Sequence, residues 1–208
     1  MGLRILRVTS RISSLSRAAA LAGASLLLLT GCWTSTDTGS TGGSATGQPT
    51  PEASAPAAPT PACPAGSPDA TSYSCVGVTV TGAKDAEPTI ALDQGFAPAT
   101  ALQVADVYEG SGTPVAAGDT LTVNYVGLGQ QSSQVFDSSW NRGEPATFPL
   151  PNVIQGWQEG LVGAKPGGRR LLVIPGSLGY GPQGSPPAIG ADETLVFVVD
   201  IISATPAS

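Results

Sequence analysis

A long tract of small residues near the N-terminus limits how much of this 208-residue chain can fold. Residues 33–62 consist mainly of Thr, Ser, Gly, Ala and Pro, and Asp37 and Glu52 are their only charged residues. Such a segment buries too little apolar surface to offset the conformational entropy that folding removes. We therefore predict a disordered tether over residues 32–70, which leaves room for a single globular domain after it.

The residues that precede this tract have the pattern of a secretion signal. A basic stretch is followed by an apolar run over residues 18–29, which is shorter than the ~20 residues of a membrane-spanning helix. The run continues into Leu29-Thr30-Gly31-Cys32, which resembles the lipobox of bacterial lipoproteins. We expect residues 1–31 to be a signal peptide and Cys32 to carry the lipid. The protein would then lie on the extracytoplasmic face of the cell membrane, held by this lipid alone. An ordinary secreted protein is the alternative.

The number of cysteines fits this interpretation. Once Cys32 is lipidated, Cys63 and Cys75 remain as a pair in an oxidising compartment. We expect these two cysteines to form a disulfide. Two free thiols are the alternative, because nothing in the sequence shows that the thiols can approach each other.

Charge and the absence of histidine exclude several classes of function. Four of the nine basic residues lie in the first 17 positions, so five remain against fifteen acidic residues after signal cleavage. A chain this acidic is not expected to bind nucleic acid by neutralising phosphates. The chain has no histidine, which excludes Ser-His-Asp catalysis and every zinc site that contains histidine. We expect no metal and no cofactor.

Alternating side chains predict strands on both sides of residue 118. Residues 71–117 are expected to supply the N-terminal strands of the domain, and residues 76–80 alternate Val with Gly or Thr, which indicates a half-buried strand. Leu121, Val123 and Tyr125 alternate with polar residues, so these three side chains should share one face of a strand.

Two nearly continuous apolar runs, residues 170–174 and 195–202, indicate central strands of the sheet. Pro175 should end the first of them. A basic cluster lies just before that strand, at residues 165–170. We expect it to form a turn and the solvated start of the strand.

One stretch has helical spacing. Ile154, Trp157 and Leu161 fall on one helix face, with Asn152 as the expected N-cap and Gly163 as the expected C-terminal end. The predicted fold is therefore α+β, an antiparallel twisted β-sheet wrapped around one short α-helix.

Several segments of the domain, taken together, resemble the FKBP-type peptidyl-prolyl cis-trans isomerases. The resemblance covers roughly residues 118–203, and the isomerase domain is expected over residues 118–205. The segments that carry it are Val123-Asn124-Tyr125-Val126-Gly127, Phe136-Asp137-Ser138-Ser139 with Arg142, Val153 to Leu161, Ile174-Pro175 with Gly179-Tyr180-Gly181, and Thr194-Leu195-Val196-Phe197.

The resemblance implies an aromatic pocket that binds proline-containing, unfolded or partly folded polypeptides and needs no metal or cofactor. Trp157 would form its floor, and Ile154 would donate its backbone N–H to a ligand carbonyl. Asp137 would be held by Tyr125 or by Arg142. The residues implied in catalysis are Tyr125, Phe136, Asp137, Tyr180 and Phe197, and those implied in substrate binding are Val153, Ile154, Trp157 and Ile189.

The sequence departs from the family pattern at one wall of the implied pocket. Ala146 stands where many members have an aromatic residue, and the loop at residues 150–153 is short. A non-catalytic binding or chaperone module is therefore the alternative function, and a purely structural surface lipoprotein is a third. An acidic domain on a tether is expected to be a monomer.

Overall fold

The computed structural model describes residues 58–207. They form two antiparallel sheets. The smaller sheet has the strand order β1-β2-β3 and contains β1 (Ser72–Cys75), β2 (Val78–Thr81) and β3 (Thr89–Leu92). Within this part of the chain, no helix is long and apolar enough to cross a membrane. The predicted signal peptide and the lipid site at Cys32 lie outside the described residues.

The larger sheet has the order β4-β8-β9-β5-β6, and β7 pairs with the first half of β5. Its strands are β4 (Gln103–Tyr108), β5 (Thr120–Gly129), β6 (Val135–Ser138), β7 (Ala146–Pro149), β8 (Arg169–Ile174) and β9 (Leu195–Thr205). Strands β8 and β9 are central, as their apolar runs predicted, and β8 ends immediately before Pro175.

Helix is scarce in the described residues. There are two short α-helices, α1 (Ser139–Arg142) and α2 (Gln155–Gly160). The prediction of antiparallel sheet with little helix is thus confirmed, although a single helix was expected. The predicted cap was wrong, because residues 150–152 form a 3-10 turn and the N-cap of α2 is Ile154. Gly163 has φ +80° two residues beyond the C-cap Leu161.

The larger sheet is covered on both faces. Leu121, Val123 and Tyr125 are buried on the inner face, as their alternation predicted, in a cluster that also contains Trp157 of α2. Val126 and Leu128 point the opposite way and belong to a second buried cluster with the residues of β1 to β3. The smaller sheet therefore shields the outer face of the larger one from water.

Two glycines let α2 approach the inner face closely. A Cβ atom on Gly160 would lie 2.8 Å from Leu172 Cδ2, and one on Gly156 would collide with Ile174. Leu172 and Ile174 both belong to β8. The helix backbone therefore packs directly on this central strand, and this contact fixes the position of Trp157 between the two glycines.

The strand predicted over residues 76–80 begins two residues later. Val76 and Gly77 form the turn between β1 and β2, with φ values of 49° and 77°. Two successive positive φ values suit a tight hairpin turn whose twist matches its strands. The alternation of valines continued through this turn, so the pattern alone did not reveal it.

The predicted solvated start of β8 was wrong. Arg169 and Arg170 are both buried. Arg169 pairs with Asp200 and Arg170 pairs with Asp106, at shortest N–O distances of 2.5 Å and 2.7 Å. These carboxylates come from the neighbouring strands β9 and β4. They offset the cost of removing the guanidinium groups from water.

The predicted disordered tether extends too far, because its last residues pack against the domain. Ala62 donates its backbone N–H to the Val104 carbonyl at 2.5 Å, and Gly66 donates to the Asp106 carbonyl at 3.1 Å. This segment therefore covers the free edge of β4. A disulfide joins Cys63 to Cys75 of β1, with their Cα atoms 6.1 Å apart.

Candidate active site

Aromatic rings from four strands and one helix meet at the inner face of the larger sheet. Trp157 of α2 lies at their centre. Its ring centroid is 5.3 Å from that of Tyr125 on β5, 5.3 Å from that of Phe197 on β9 and 6.0 Å from that of Phe148 on β7. Phe136 on β6 lies 5.5 Å from Phe197. These four contacts are edge-to-face, with interplanar angles between 85° and 89°, an arrangement that aromatic pairs favour.

Gly127 allows two of these rings to meet. It lies opposite Phe197 in the β5–β9 ladder. A Cβ atom on Gly127 would lie 2.7 Å from the Phe197 ring and 2.8 Å from the Phe136 ring. Any larger residue at this position would push the rings apart. Gly127 is the last residue of the segment Val123-Asn124-Tyr125-Val126-Gly127 that was noted in the sequence.

The rings enclose a cavity of about 290 Å³. This volume is close to the lower end of the range for small-molecule sites, and it suits one small ring with its flanking groups. The lining residues are Tyr125, Phe136, Asp137, Phe148, Asn152, Val153, Ile154, Trp157, Tyr180 and Phe197.

A polar network stands at one side of this cavity. Tyr125 donates its hydroxyl to Asp137 Oδ2, and Arg142 donates Nη1 to Asp137 Oδ1 at 2.5 Å and Nη2 to the Tyr125 oxygen at 2.9 Å. The sequence left open whether Tyr125 or Arg142 holds Asp137, and the structure shows both contacts. Helix α1 follows β6 directly, and its single turn brings Arg142 back toward Asp137. The helix is capped by the Ser138 side chain and ends at Gly143, which has φ 76°.

The two tyrosines of the cavity keep their protons at neutral pH. Burial and the hydrogen bond to Asp137 raise the pKa of Tyr125 to about 12, with Arg142 opposing this shift. Burial, followed by the charge of Asp137, also raises the pKa of Tyr180. Both hydroxyl groups are therefore neutral hydrogen-bond donors over the physiological range.

The turn before α2 brings a backbone donor to the cavity. Gln158 donates its side-chain amide to the Val153 carbonyl at 2.7 Å and to the Pro151 carbonyl at 3.2 Å, which holds this turn in place. Within residues 58–207, the backbone N–H of Ile154 has no hydrogen-bond partner. It remains available to a ligand.

The structure brings together most of the residues that the sequence selected. Eight of the nine line the cavity, whereas Ile189 lies in the surrounding core at 4% exposure. Phe148 and Asn152 were not selected, although both line the cavity. The alternation of β7 could have revealed Phe148, because it faces inward two residues after the half-buried Ala146. The sequence pattern predicts Asn152 as a helix cap and not as a cavity residue.

The described residues hold no cluster of three or more His, Cys, Asp or Glu side chains that could bind a metal ion. The cavity lining offers apolar enclosure with hydrogen-bond donors at its edge. Such a site binds a compact apolar group and fixes the carbonyl groups beside it.

Comparison with known proteins agrees with this description. Residues 112–202, which include the whole cavity lining, match the family model described as FKBP-type peptidyl-prolyl cis-trans isomerase. The chain is 45% identical over 118 residues to a probable FK506-binding protein of Corynebacterium glutamicum. The matched region is 57% of this chain and 98% of that protein.

Two further relatives have similar identities. An FK506-binding protein of Streptomyces anulatus is 44% identical over 120 residues, or 56% of this chain and 96% of that protein. The peptidyl-prolyl cis-trans isomerase Mip of Coxiella burnetii is 47% identical over 105 residues, or 50% of this chain and 45% of that protein.

Proposed function

Because this chain belongs to the family of FKBP-type peptidyl-prolyl cis-trans isomerases, we propose that it rotates X-Pro bonds of exported polypeptides inside its aromatic cavity. The observation that carries this proposal is the cavity of about 290 Å³ walled by aromatic rings, with hydrogen-bond donors beside it. A proline ring is an apolar group of suitable size. Its substrates would be unfolded or partly folded chains, in which prolyl isomerisation is slow enough to limit folding.

The cavity can favour rotation through its polarity. Resonance holds the peptide bond planar and creates a barrier of ~18–20 kcal/mol. The twisted transition state has lost this resonance and is therefore less polar than the planar amide. Trp157 and Phe197, both nearly fully buried, keep water from the bound proline. An apolar environment then destabilises the planar ground state relative to the twisted state, which is the differential binding that catalysis requires.

Donors at the edge of the cavity would hold the substrate on both sides of the rotating bond. The Tyr180 hydroxyl is one such donor, because Tyr180 lines the cavity and is 42% exposed. The backbone N–H of Ile154, which has no hydrogen-bond partner among residues 58–207, is a second. When the flanking carbonyl groups are held in place, the X-Pro bond can rotate while the rest of the substrate stays bound. No bond is made or broken, so the reaction requires no nucleophile and no proton transfer.

We place this activity at the outer face of the cytoplasmic membrane. The apolar run over residues 18–29 and Cys32 support export and lipid attachment. The Cys63–Cys75 disulfide supports an oxidising compartment. Cys32→Ser should release the protein from the membrane fraction or leave an uncleaved precursor. A parent protein whose intact mass shows no diacylglycerol would contradict this location.

Exchange of a proline-containing peptide, followed by NMR or by a protease-coupled assay, tests the proposed activity. The protein is prepared from residue 32 onward with Cys32→Ser, which keeps the whole mature chain. We expect exchange faster than the thermal rate, and competition by a second proline peptide. If the folded protein leaves the thermal rate unchanged, the cavity serves binding alone and the non-catalytic alternative replaces this proposal.

A further inference from the structure

A buried carboxylate lies close to the cavity but outside its lining. Glu193 is only 3% exposed. In the described part of the chain, none of the ion pairs includes it. An ionised carboxylate is costly to bury unless its oxygens accept hydrogen bonds. The hydrogen-bond donors around the Glu193 carboxylate therefore show which parts of the structure it connects.

Both oxygens of Glu193 accept hydrogen bonds from backbone N–H groups. Oε1 accepts from Gln131 at 3.0 Å and from Ser132 at 3.4 Å, and Oε2 accepts from Gly190 at 2.6 Å. Gln131 and Ser132 lie in the loop between β5 and β6. Gly190 lies in the flap, which we define as residues 181–191. One carboxylate thus joins two loops about 60 residues apart in the sequence.

Each of the two loops leads to a side of the cavity. The β5–β6 loop runs directly into β6, whose Phe136 is a wall. The flap starts just after Tyr180, and its Ile189 is buried against the aromatic cluster. Asp192 donates its backbone N–H to the Gly181 carbonyl at 2.9 Å and so closes the base of the flap. A shift of Gly190 would therefore move Ile189 directly.

A glycine at position 129 leaves room for the Glu193 carboxylate. A Cβ atom on Gly129 would collide with Glu193 Oε1, and one on Gly190 would lie 3.4 Å from Oε2. Gly129 is the last residue of β5, and Gly190 follows the buried Ile189 in the flap. The absence of a side chain at Gly129 therefore lets the carboxylate reach the backbone of the β5–β6 loop.

We propose that Glu193 is a positioning residue of the isomerase. Its carboxylate fixes the flap to the β5–β6 loop and thereby sets the separation between the side of the cavity that holds Phe136 and the side that holds Tyr180. It does not contact the substrate. This inference rests on the proposed function, since it takes the aromatic cavity as the place where the X-Pro bond rotates.

Two substitutions and one matched control test this role. Glu193→Ala removes all three hydrogen bonds, whereas the isosteric Glu193→Gln keeps one acceptor oxygen. Asp200→Asn is the control, because Asp200 is also a mostly buried carboxylate but lies on β9 and pairs with Arg169 on the outer face, away from the cavity. All three variants should lower the melting temperature, so stability alone does not separate them.

Catalysis should separate them. We expect kcat/KM to fall about 10-fold in Glu193→Ala and to an intermediate value in Glu193→Gln, because small displacements of positioning groups cost catalytic rate. The loss should appear mainly in kcat. Asp200→Asn should keep the kcat/KM of the parent. Hydrogen exchange should show lost protection at the amides of Gln131 and Gly190 in the Glu193 variants only.

If Glu193→Ala reduces kcat/KM no more than Asp200→Asn does at an equal loss of melting temperature, Glu193 acts on stability alone and the proposal is wrong. Should Glu193→Ala fail to fold, Glu193→Gln decides by the same comparison. An inactive parent protein would instead overturn the proposed function. An active parent that is impaired by Phe136→Ala and indifferent to both Glu193 substitutions would overturn only this inference.

Discussion

Arg169 and Asp200 form a two-point ion pair between β8 and β9, with Nε 2.5 Å from Oδ1 and Nη2 2.8 Å from Oδ2. Arg169 also donates Nη2 to the Ala86 carbonyl at 2.7 Å, in the loop between β2 and β3. The guanidinium group therefore links the larger sheet to the smaller one. Its positive charge is fully buried, and the mostly buried Asp200 carboxylate is its counter-ion.

Arg169→Met should lower the free energy of unfolding by about 3–5 kcal/mol, because it leaves the Asp200 carboxylate buried without a partner. Arg169→Met combined with Asp200→Leu should recover most of this loss, since no unpaired charge remains. Denaturant unfolding of the single and double variants measures both effects. A single variant as stable as the parent would show that the pair contributes nothing.

Phe136→Ala should reduce kcat/KM more than any conservative change in the cavity, because it opens a wall and admits water beside the bound proline. Val135→Ala is the control, since Val135 precedes Phe136 on β6 but is 49% exposed. The peptide-exchange assay should show a clear loss for Phe136→Ala and none for Val135→Ala. Equal activities of the two variants would contradict the assignment of Phe136 to the site.

Tyr180→Phe should lower kcat/KM by about 5–30-fold, which corresponds to the loss of one hydrogen bond of ~1–2 kcal/mol. The folded state should be unaffected, because within the described residues the Tyr180 hydroxyl makes no hydrogen bond and the side chain is partly exposed. Tyr73→Phe provides the matched control, since its hydroxyl donates to the Pro64 carbonyl far from the cavity lining. A Tyr180→Phe protein with full activity would remove this donor from the mechanism.

Sequence patterns were sufficient where a single strand determined which face a side chain occupies. The alternation of Leu121, Val123 and Tyr125 was enough to place Tyr125 on the inner face. It was not enough for Arg169, whose burial depends on a carboxylate 31 residues away in the sequence. Long-range pairing of charges leaves no local pattern. For the same reason, Glu193 could not be distinguished from a solvated glutamate before its contacts were seen.

Removing the disulfide by Cys63→Ser with Cys75→Ser should lower the free energy of unfolding by about 3 kcal/mol, as expected for a short closed loop. Activity of the folded protein should not change, because Cys75 packs in the outer cluster and the cavity lies on the inner face. Thermal unfolding should give the same melting temperature for the variant and for the parent with reductant, and a higher one for the parent without reductant. A variant as stable as the oxidised parent would contradict this contribution.

The free energy of unfolding should fall at alkaline pH, because the buried tyrosines ionise less readily in the folded protein than in the unfolded chain. Burial is the largest cause that raises the pKa of both Tyr125 and Tyr108 from 10.0 to about 12. Since the folded-state pKa exceeds the unfolded-state value, the stabilisation is complete below pH 10 and is lost as the pH rises toward 12. Denaturant unfolding between pH 8 and pH 12 should show this fall, and Tyr108→Phe should make it less steep. Tyrosinate absorbance near pH 10 in the folded protein, with stability unchanged, would contradict this expectation.

The disulfide also determines how the domain responds to mechanical tension applied through its N-terminal segment. A pull on residue 58 first acts on the hydrogen bond between Ala62 and Val104. It then reaches Cys63, where the covalent bond transfers the force to Cys75 at the end of β1. Residues 64–74 lie inside the closed loop, so the direct covalent path of the load bypasses them. The hydrogen bond between Gly66 and Asp106, which lies within this loop on the edge of β4, is therefore shielded from a pull on residue 58.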